Sequence, residues 1–180
     1  EVTFQKTARG LLVRIADSAV GSGDGATLLV IGQFTEDASD GEGIERIVFG
    51  DGSVKTIDEV SNEILAAAAT IFDDRLVGTA ADETLEGGLG DDVLIGGEGD
   101  DRYVYTRGDG NDRIYDEEYY GDSYLVLHGI DPADVVLQAG FEDDLEIIIA
   151  ASVPDAGDEG RITVRRGADT YGRYGVERIV

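Results

Sequence analysis

Apolar positions along this chain recur with a different spacing in different stretches. Short apolar or alternating runs at residues 2–4, 11–15, 28–34 and 46–49 read as β-strands, separated by turn-rich stretches such as GSGDG (21–25) and the hairpin-like GDG (50–52). The same texture returns at 124–127, 135–137, 145–150 and 161–164, with DAGDEG (155–160) as a further turn. Between these regions Thr56 and Glu59 form a capping-box pair ahead of EVSNEILAAAA, a run of good helix formers. One short linking helix is predicted there. From residue 69 to 115 neither period holds. Leu76, Leu85, Leu94, Tyr103 and Ile114 follow one another at intervals of about nine residues.

That spacing is a nonapeptide repeat. Residues 87–95 read GGLGDDVLI and residues 96–104 read GGEGDDRYV. Residues 78–86 (GTAADETLE) keep the frame in weaker form, and 69–77 (ATIFDDRLV) keep the acidic pair and the apolar residue. A two-residue slip at Tyr105 and Thr106 precedes RGDGNDRIY at 107–115. The sixth places are Asp74, Glu83, Asp92, Asp101 and Asp112; the aliphatic or aromatic residues named above hold the eighth. Nine residues form a tight coil in which six reverse the chain and three make a strand. Glycine serves where the backbone takes positive φ or lies against the next turn. Two nonapeptides complete one coil, so turns 18 residues apart stack on one edge.

A longer repeat frames the nonapeptides. Residues 1–31 align without gaps onto 134–164, matching Val2, Gln5, Leu12, Ile15 and Val20 with Val135, Gln138, Leu145, Ile148 and Val153. GIERIV (43–48) then aligns with GVERIV (175–180) after a one-residue slip. Four segments are therefore expected: 1–56 as the β-rich end of one module, 57–68 as the helix, 69–122 as a coiled repeat, and 123–180 as a β-rich cap of a second module. The chain reads as part of a longer protein with tandem modules.

Charge decides which chemistry this scaffold carries. Fourteen basic against 39 acidic residues give a net charge of −25. That balance opposes nucleic-acid and anionic-membrane binding and calls for a cationic partner, the smallest being a metal ion. Cysteine is absent and His128 is the single histidine, so thiolate and zinc-type sites are excluded and oxygen must hold the metal. Hard oxygen ligands suit calcium or magnesium. Residues 69–115 hold 12 acids and four arginines. Stacked carboxylates a few ångströms apart repel by roughly 1–4 kcal/mol per pair at water-like to surface-like dielectric, so the coil needs an ion to form. No apolar run approaches membrane-spanning length. No HExxH or GxSxG occurs, and no catalytic constellation is expected.

The GGxGxDxUx pattern of residues 87–104 resembles the RTX, or haemolysin-type, calcium-binding parallel β-roll. The resemblance implies an all-β fold: a parallel β-roll with flanking antiparallel β-rich capping domains and the one linking helix. It implies Ca²⁺ as the cofactor, held by second- and fourth-place carbonyls and the sixth carboxylate of a lower turn, with first- and third-place carbonyls and the sixth carboxylate of the turn above. The best site would use Gly88, Gly90 and Asp92 below with Arg107, Asp109 and Asp112 above. A second would use Thr79, Ala81 and Glu83 with Gly96, Glu98 and Asp101. Two further sites pair Thr70, Phe72 and Asp74 with Gly87, Leu89 and Asp92, and Gly97, Gly99 and Asp101 with Glu117, Tyr119 and Asp122. Glu83 and Ala81 depart from the pattern, and the slip before Arg107 breaks the 18-residue spacing.

The resemblance also implies a secreted bacterial protein exported by a type I route, with calcium-driven folding outside the cell and neighbouring modules of the same chain as partners. Two alternatives stand beside this non-catalytic scaffold: an adhesive module binding a glycan or protein, and an accessory domain of an RTX enzyme or toxin. The tyrosines at 103, 105, 115, 119, 120 and 124 separate the first two readings. Grouped and exposed they favour adhesion; buried they favour core and capping roles.

Overall fold

The computed structural model describes residues 1–7, 10–19, 23, 25–31, 44, 46–116, 122–141, 144–165, 176 and 178–180. The chain divides into two compact units, Glu1–Ile64 and Leu65–Val180.

In the first unit β1 (Val2–Thr7), β2 (Gly10–Ile15) and β3 (Ala26–Ile31) form an antiparallel meander. β4 (Arg46–Val48) and β5 (Val54–Thr56) pair antiparallel around the GDG turn, where Gly52 takes φ 85°. Helix α1 (Ile57–Ala68) starts at the expected capping box: Thr56 N–H donates to Glu59 Oε2 (2.8 Å) and Glu59 N–H to Thr56 Oγ1 (3.2 Å). Leu11, Val13 and Val60 are its buried core, with Val2, Phe4, Ile47, Ile57 and Ile64 packed around them. The expected strand at 28–34 begins two residues earlier, and residues 32–34 lie outside the described residues.

The second unit is a coil of two parallel sheets. One joins β6 (Arg75–Val77), β8 (Val93–Ile95), β10 (Asn111–Tyr115) and β14 (Gly160–Arg165) in parallel. The other joins β7 (Thr84–Glu86), β9 (Arg102–Thr106), β11 (Tyr124–His128) and β15 (Arg178–Ile179), also in parallel. Successive nonapeptides alternate between the sheets, as the 18-residue stacking requires. The eighth-place residues line up across each sheet: Leu76, Leu94, Ile114 and Val164 in one, Leu85, Tyr103, Leu125 and Ile179 in the other. All are buried in one core except Ile179, which packs against it half-buried.

The segment after the repeats departs from the expected antiparallel cap. β11, β14 and β15 run parallel and continue the two sheets of the coil. Among the described residues of this segment, antiparallel pairing joins β12 (Val135–Ala139) to β13 (Leu145–Ile149) and β13 to β14, which extends the first sheet beyond β14. The physical reason is the sheet edge. β9 and β10 end the nonapeptides with backbone groups that need partners, and a parallel strand satisfies them in register. Among the described residues no helix is long and apolar enough to cross a membrane.

Candidate metal centre in the stacked turns

The turns at the strand ends form two stacks. The first contains Asp74, Asp92 and Asp112 at the sixth place, the second Glu83, Asp101 and Ser123. In each stack the sixth-place side chain reaches back one coil. Asp74 N–H donates to Asp92 Oδ1 (2.7 Å) and Asp92 N–H to Asp112 Oδ1 (3.0 Å). In the second stack Glu83 N–H donates to Asp101 Oδ1 (2.9 Å) and Asp101 N–H to Ser123 Oγ (2.9 Å). All of these side chains except Asp74 are buried.

A second ladder, which the sequence reading did not single out, runs outside the first through the fifth places. Asp91 N–H donates to Asp73 Oδ1 (3.0 Å), Asn111 N–H to Asp91 Oδ1 (2.9 Å), Asp100 N–H to Asp82 Oδ1 (2.9 Å) and Asp122 N–H to Asp100 Oδ1 (2.8 Å). These residues are exposed. The signal was present in the sequence as doublets: each sixth-place residue follows an Asp or Asn. The two ladders run in opposite senses, so each coil is tied to the next twice.

The carbonyls named for the lower turns lie at the seams between coils. A Cβ on Gly88 would sit 2.8 Å from Thr70 O, and one on Gly90 would sit 2.7 Å from the Phe72 carbonyl carbon. Gly97 and Gly99 stack in the same way over the Thr79 and Ala81 carbonyls, and Gly110 over that of Gly90. Gly97 and Gly110 take φ 108° and 122°, so an L side chain there is strained as well as crowded. On the upper turns, Gly87 and Gly96 lie against the carboxylates of Asp92 and Asp101. Glu98 N–H donates to Thr79 O (3.1 Å), and Gly90 N–H to Asp109 O (2.7 Å). The side chains of Phe72 and Leu89 point to solvent, at 70% and 53% exposure, so only their backbones face the seam.

Three of the four expected pairings are therefore brought together turn on turn. The fourth is not. Register places Tyr124 beside Arg102, which puts Asp122 in the exposed fifth place and Ser123 in the sixth. The expected frame is one residue out: the sixth places here are 22 residues apart against 18 in the coil before, a slip of four, where pairing Asp101 with Asp122 allows for only three. Ser123 Oγ accepts from Asp101 N–H and lies 3.4 Å from Gly99 O, to which it donates. A neutral hydroxyl thus occupies the place expected for a carboxylate. Glu117 and Tyr119 lie outside the described residues.

Electrostatics single out the turns of Asp92 and Asp112. Burial, with the nearby charges of Asp92, Asp109 and Asp91, pushes the Asp112 carboxyl up to about 7. Burial also raises Asp92 and Asp109. Asp109 was singled out for its carbonyl, yet its side chain adds a third buried acid; its Oδ2 accepts from Thr106 N–H at 2.6 Å. Asp92 Oδ2 is buried with no hydrogen-bond partner. A buried carboxylate oxygen in that position needs a proton or a cation. Among the described residues no three acidic or histidine side chains form a metal cluster by themselves. A cation here must complete its shell with the seam carbonyls, which is the oxygen-only donor set that calcium accepts.

Other singled-out residues take structural places. Arg107 turns its side chain away from the seam, bonding Asp134 Oδ2 at 2.6 Å and the Ala150 carbonyl. It thereby ties the turn to the strands that follow. Tyr103 and Tyr105 are buried, donating to Asp116 Oδ2 (3.2 Å) and Gly110 O (2.9 Å). Arg165 and Arg178 cover the rings of Tyr115 and Tyr124 at 5.6 and 5.0 Å. Tyr119 and Tyr120 lie outside the described residues, and His128 is exposed on β11. The described tyrosines do not form an exposed platform.

A parallel coil with glycine- and aspartate-rich turns stacked over carbonyl seams defines the class: a repeat solenoid with oxygen-lined turns. Residues 69–103 and 77–114 match the RTX calcium-binding nonapeptide repeat, in four copies. These residues, about a quarter of the chain, belong to that repeat family. No curated protein matches the chain.

Proposed function

We propose that residues 65–180 are a calcium-dependent folding module of a secreted bacterial protein, acting as a non-catalytic scaffold whose order is switched on by calcium outside the cell. The observation that carries this is the orphaned, buried Asp92 Oδ2 between seams lined by backbone carbonyls. Gly88, Gly90, Asp92, Arg107, Asp109 and Asp112 would hold one ion, through the Asp92 and Asp112 carboxylates and the carbonyls of the others. Thr79, Ala81, Glu83, Gly96, Glu98 and Asp101 would hold a second, and Thr70, Phe72, Asp74, Gly87, Leu89 and Asp92 a third. Bound calcium supplies charge neutralisation and the oxygen contacts that lock one coil to the next.

The chain's own residues do the rest. The fifth-place ladder holds the coils in register, and the glycines let the carbonyls approach. Arg107 connects the turns to β12 and β13. Extracellular modules bind calcium at about 10⁻⁴–10⁻³ M, well above cytosolic levels, so the acidic roll stays unfolded inside the cell and suited to export. Binding free energy then becomes folding free energy. Circular dichroism across a calcium titration tests the switch: β-signal and a cooperative melt are expected with calcium and absent in chelator. A native spectrum and cooperative melt in chelator would overturn it. Magnesium is expected to substitute poorly, because its rigid octahedral shell dehydrates reluctantly.

A further inference from the structure

The meander β1–β2–β3 of the first unit repeats β12–β13–β14 of the second, in the same strand order and sense. Registers fix the equivalence. Val2 pairs with Ile15 and Val135 with Ile149; Val13 pairs with Leu28 and Ile147 with Ile162. Ala16 N–H donates to Glu1 O, and Ala150 N–H to Asp134 O, both at 2.9 Å. The connection between the first two strands is one residue longer in the second copy, so Leu11, not Leu12, corresponds to Leu145, and Ile15 to Ile149 rather than Ile148. Val20 lies outside the described residues. β4 likewise corresponds to β15, Arg46 to Arg178.

The surroundings of the two copies differ. β14 has β13 on one side and β10 of the roll on the other, and Ile149 and Ile162 are 1% and 0% exposed. β3 pairs with β2 alone among the described residues, and Ile15 and Leu28 are 46% and 57% exposed. β15 pairs with β11 of the roll, whereas among the described residues β4 pairs with β5 alone. Arg107 bonds Asp134 and the Ala150 carbonyl; at the matching place in the first unit lies an open cleft of about 500 Å³ whose lining includes Glu1, Ala16, Asp17 and Ala26, with Arg14 as its one basic residue. The sheet face itself is covered in both units, Leu145 and Ile147 by the roll core and the matching Leu11 and Val13 by Val60 of α1 with Ile57 and Ile64 around it. The outer edges of β3 and β4 are what lack, among the described residues, the strand partners that the roll gives β14 and β15.

We propose that the outer edge of β3, the free edge of β4 and the Glu1–Asp17 cleft together form the docking seat for the last coil of a second calcium-loaded nonapeptide roll, preceding this unit in sequence. The seat takes a parallel strand along β3, a second along β4, and a basic side chain against the Glu1 carboxylate and the Ala16 carbonyl. This rests on the calcium reading above. One position differs: Ala26 stands where Gly160 lies against the Gly110 carbonyl and the Tyr105 hydroxyl, so the docked coil meets Ala26 with a smaller residue than tyrosine.

The test repeats residues 69–133 ahead of Glu1 in the full chain, with Ala26→Gly to admit Tyr105, and follows hydrogen exchange and calcium stoichiometry. In calcium the added roll and the β3 amides are expected to gain protection together, and the number of bound ions to double. Leu28→Asp is expected to remove both gains while leaving the original 69–116 protected and the β1–β2 pairing intact. An added roll that stays unprotected while the original is protected overturns the docking proposal alone. If neither roll orders in calcium, the calcium reading falls and the proposal with it. A concentration-dependent dimer of the unextended chain that Leu28→Asp dissolves would assign the seat to a second copy and also overturn it.

Discussion

The two turn stacks of the roll start alike and end differently. Both begin with 18-residue spacing and a sixth-place acid bonded to the coil before it. At the next coil the stack of Asp74 and Asp92 absorbs a two-residue slip and recovers an acid, Asp112. The stack of Glu83 and Asp101 absorbs four residues and receives Ser123. The first stack therefore buries three mutually repelling carboxyls, Asp92, Asp109 and Asp112. The second ends on a hydroxyl that satisfies Asp101 N–H without adding charge. An insertion between coils does not by itself break the ladder, because the backbone register recovers. What it changes is the residue delivered to the sixth place, and with it the need for an ion.

The largest effect is expected at Asp92, which serves seams on both sides. Asp92→Ala removes an acid from two proposed sites and the acceptor for Asp74 N–H, and should raise the calcium midpoint for folding tenfold or more, from a loss of roughly 1.5–3 kcal/mol per charged contact. Glu83→Ala touches one site and should shift the midpoint less. Equal or reversed shifts in parallel titrations would remove the ranking of the stacks.

Proton linkage comes next. In metal-free protein the folded roll holds Asp112 up to about 7 and raises Asp92 and Asp109. The folded state binds more protons than the unfolded chain between about 4 and 7, so acid favours it and the gain is lost as pH rises through about 7. Metal-free protein should therefore gain β-structure on acidification. With calcium present the proton competes, and the midpoint should rise as pH falls below about 7, by up to about tenfold per unit for one displaced proton. Titrations at pH 6 and 8 with the same midpoint would contradict this.

A smaller effect sharpens the comparison from the other side. Arg107→Ala breaks the link to Asp134 and Ala150 and should cost about 1–3 kcal/mol, seen as a lower melting temperature in saturating calcium with little change in ion count. Ser123→Asp should do the reverse, adding about one ion to the second stack by calorimetric stoichiometry while destabilising the metal-free roll. An unchanged ion count would mean that Ser123 does not limit that stack.

Much of this arrangement was legible along the sequence. The nine-residue phase places Leu76, Leu85, Leu94, Tyr103 and Ile114 in the core, and the Thr56–Glu59 pair starts the helix where expected. These features are local: a period, a cap, a glycine where a carbonyl approaches. The pairing of β10 with β14, between Asn111 and Arg161, was not legible, because nothing in either strand marks a parallel partner so distant in sequence. The last sixth place was misread for a related reason. Residues 116–123 carry no glycine pair to fix the phase, and Asp122 imitates the acid that Ser123 replaces. The one-residue shift in the repeated meander escaped in the same way, since Leu11 and Leu12 are chemically interchangeable until strand register chooses between them.

The central claim is that calcium orders the roll and the strands that continue it as one body, and hydrogen exchange during a calcium titration tests it most directly. β8, β9 and β10 share sheets and core with β11, β14 and β15. Amides in residues 93–115 and in 124–128 and 160–165 should therefore be unprotected in chelator and gain protection at the same calcium level. Protection of residues 124–128 and 160–165 in chelator, or at a clearly different calcium level from residues 93–115, would contradict the account.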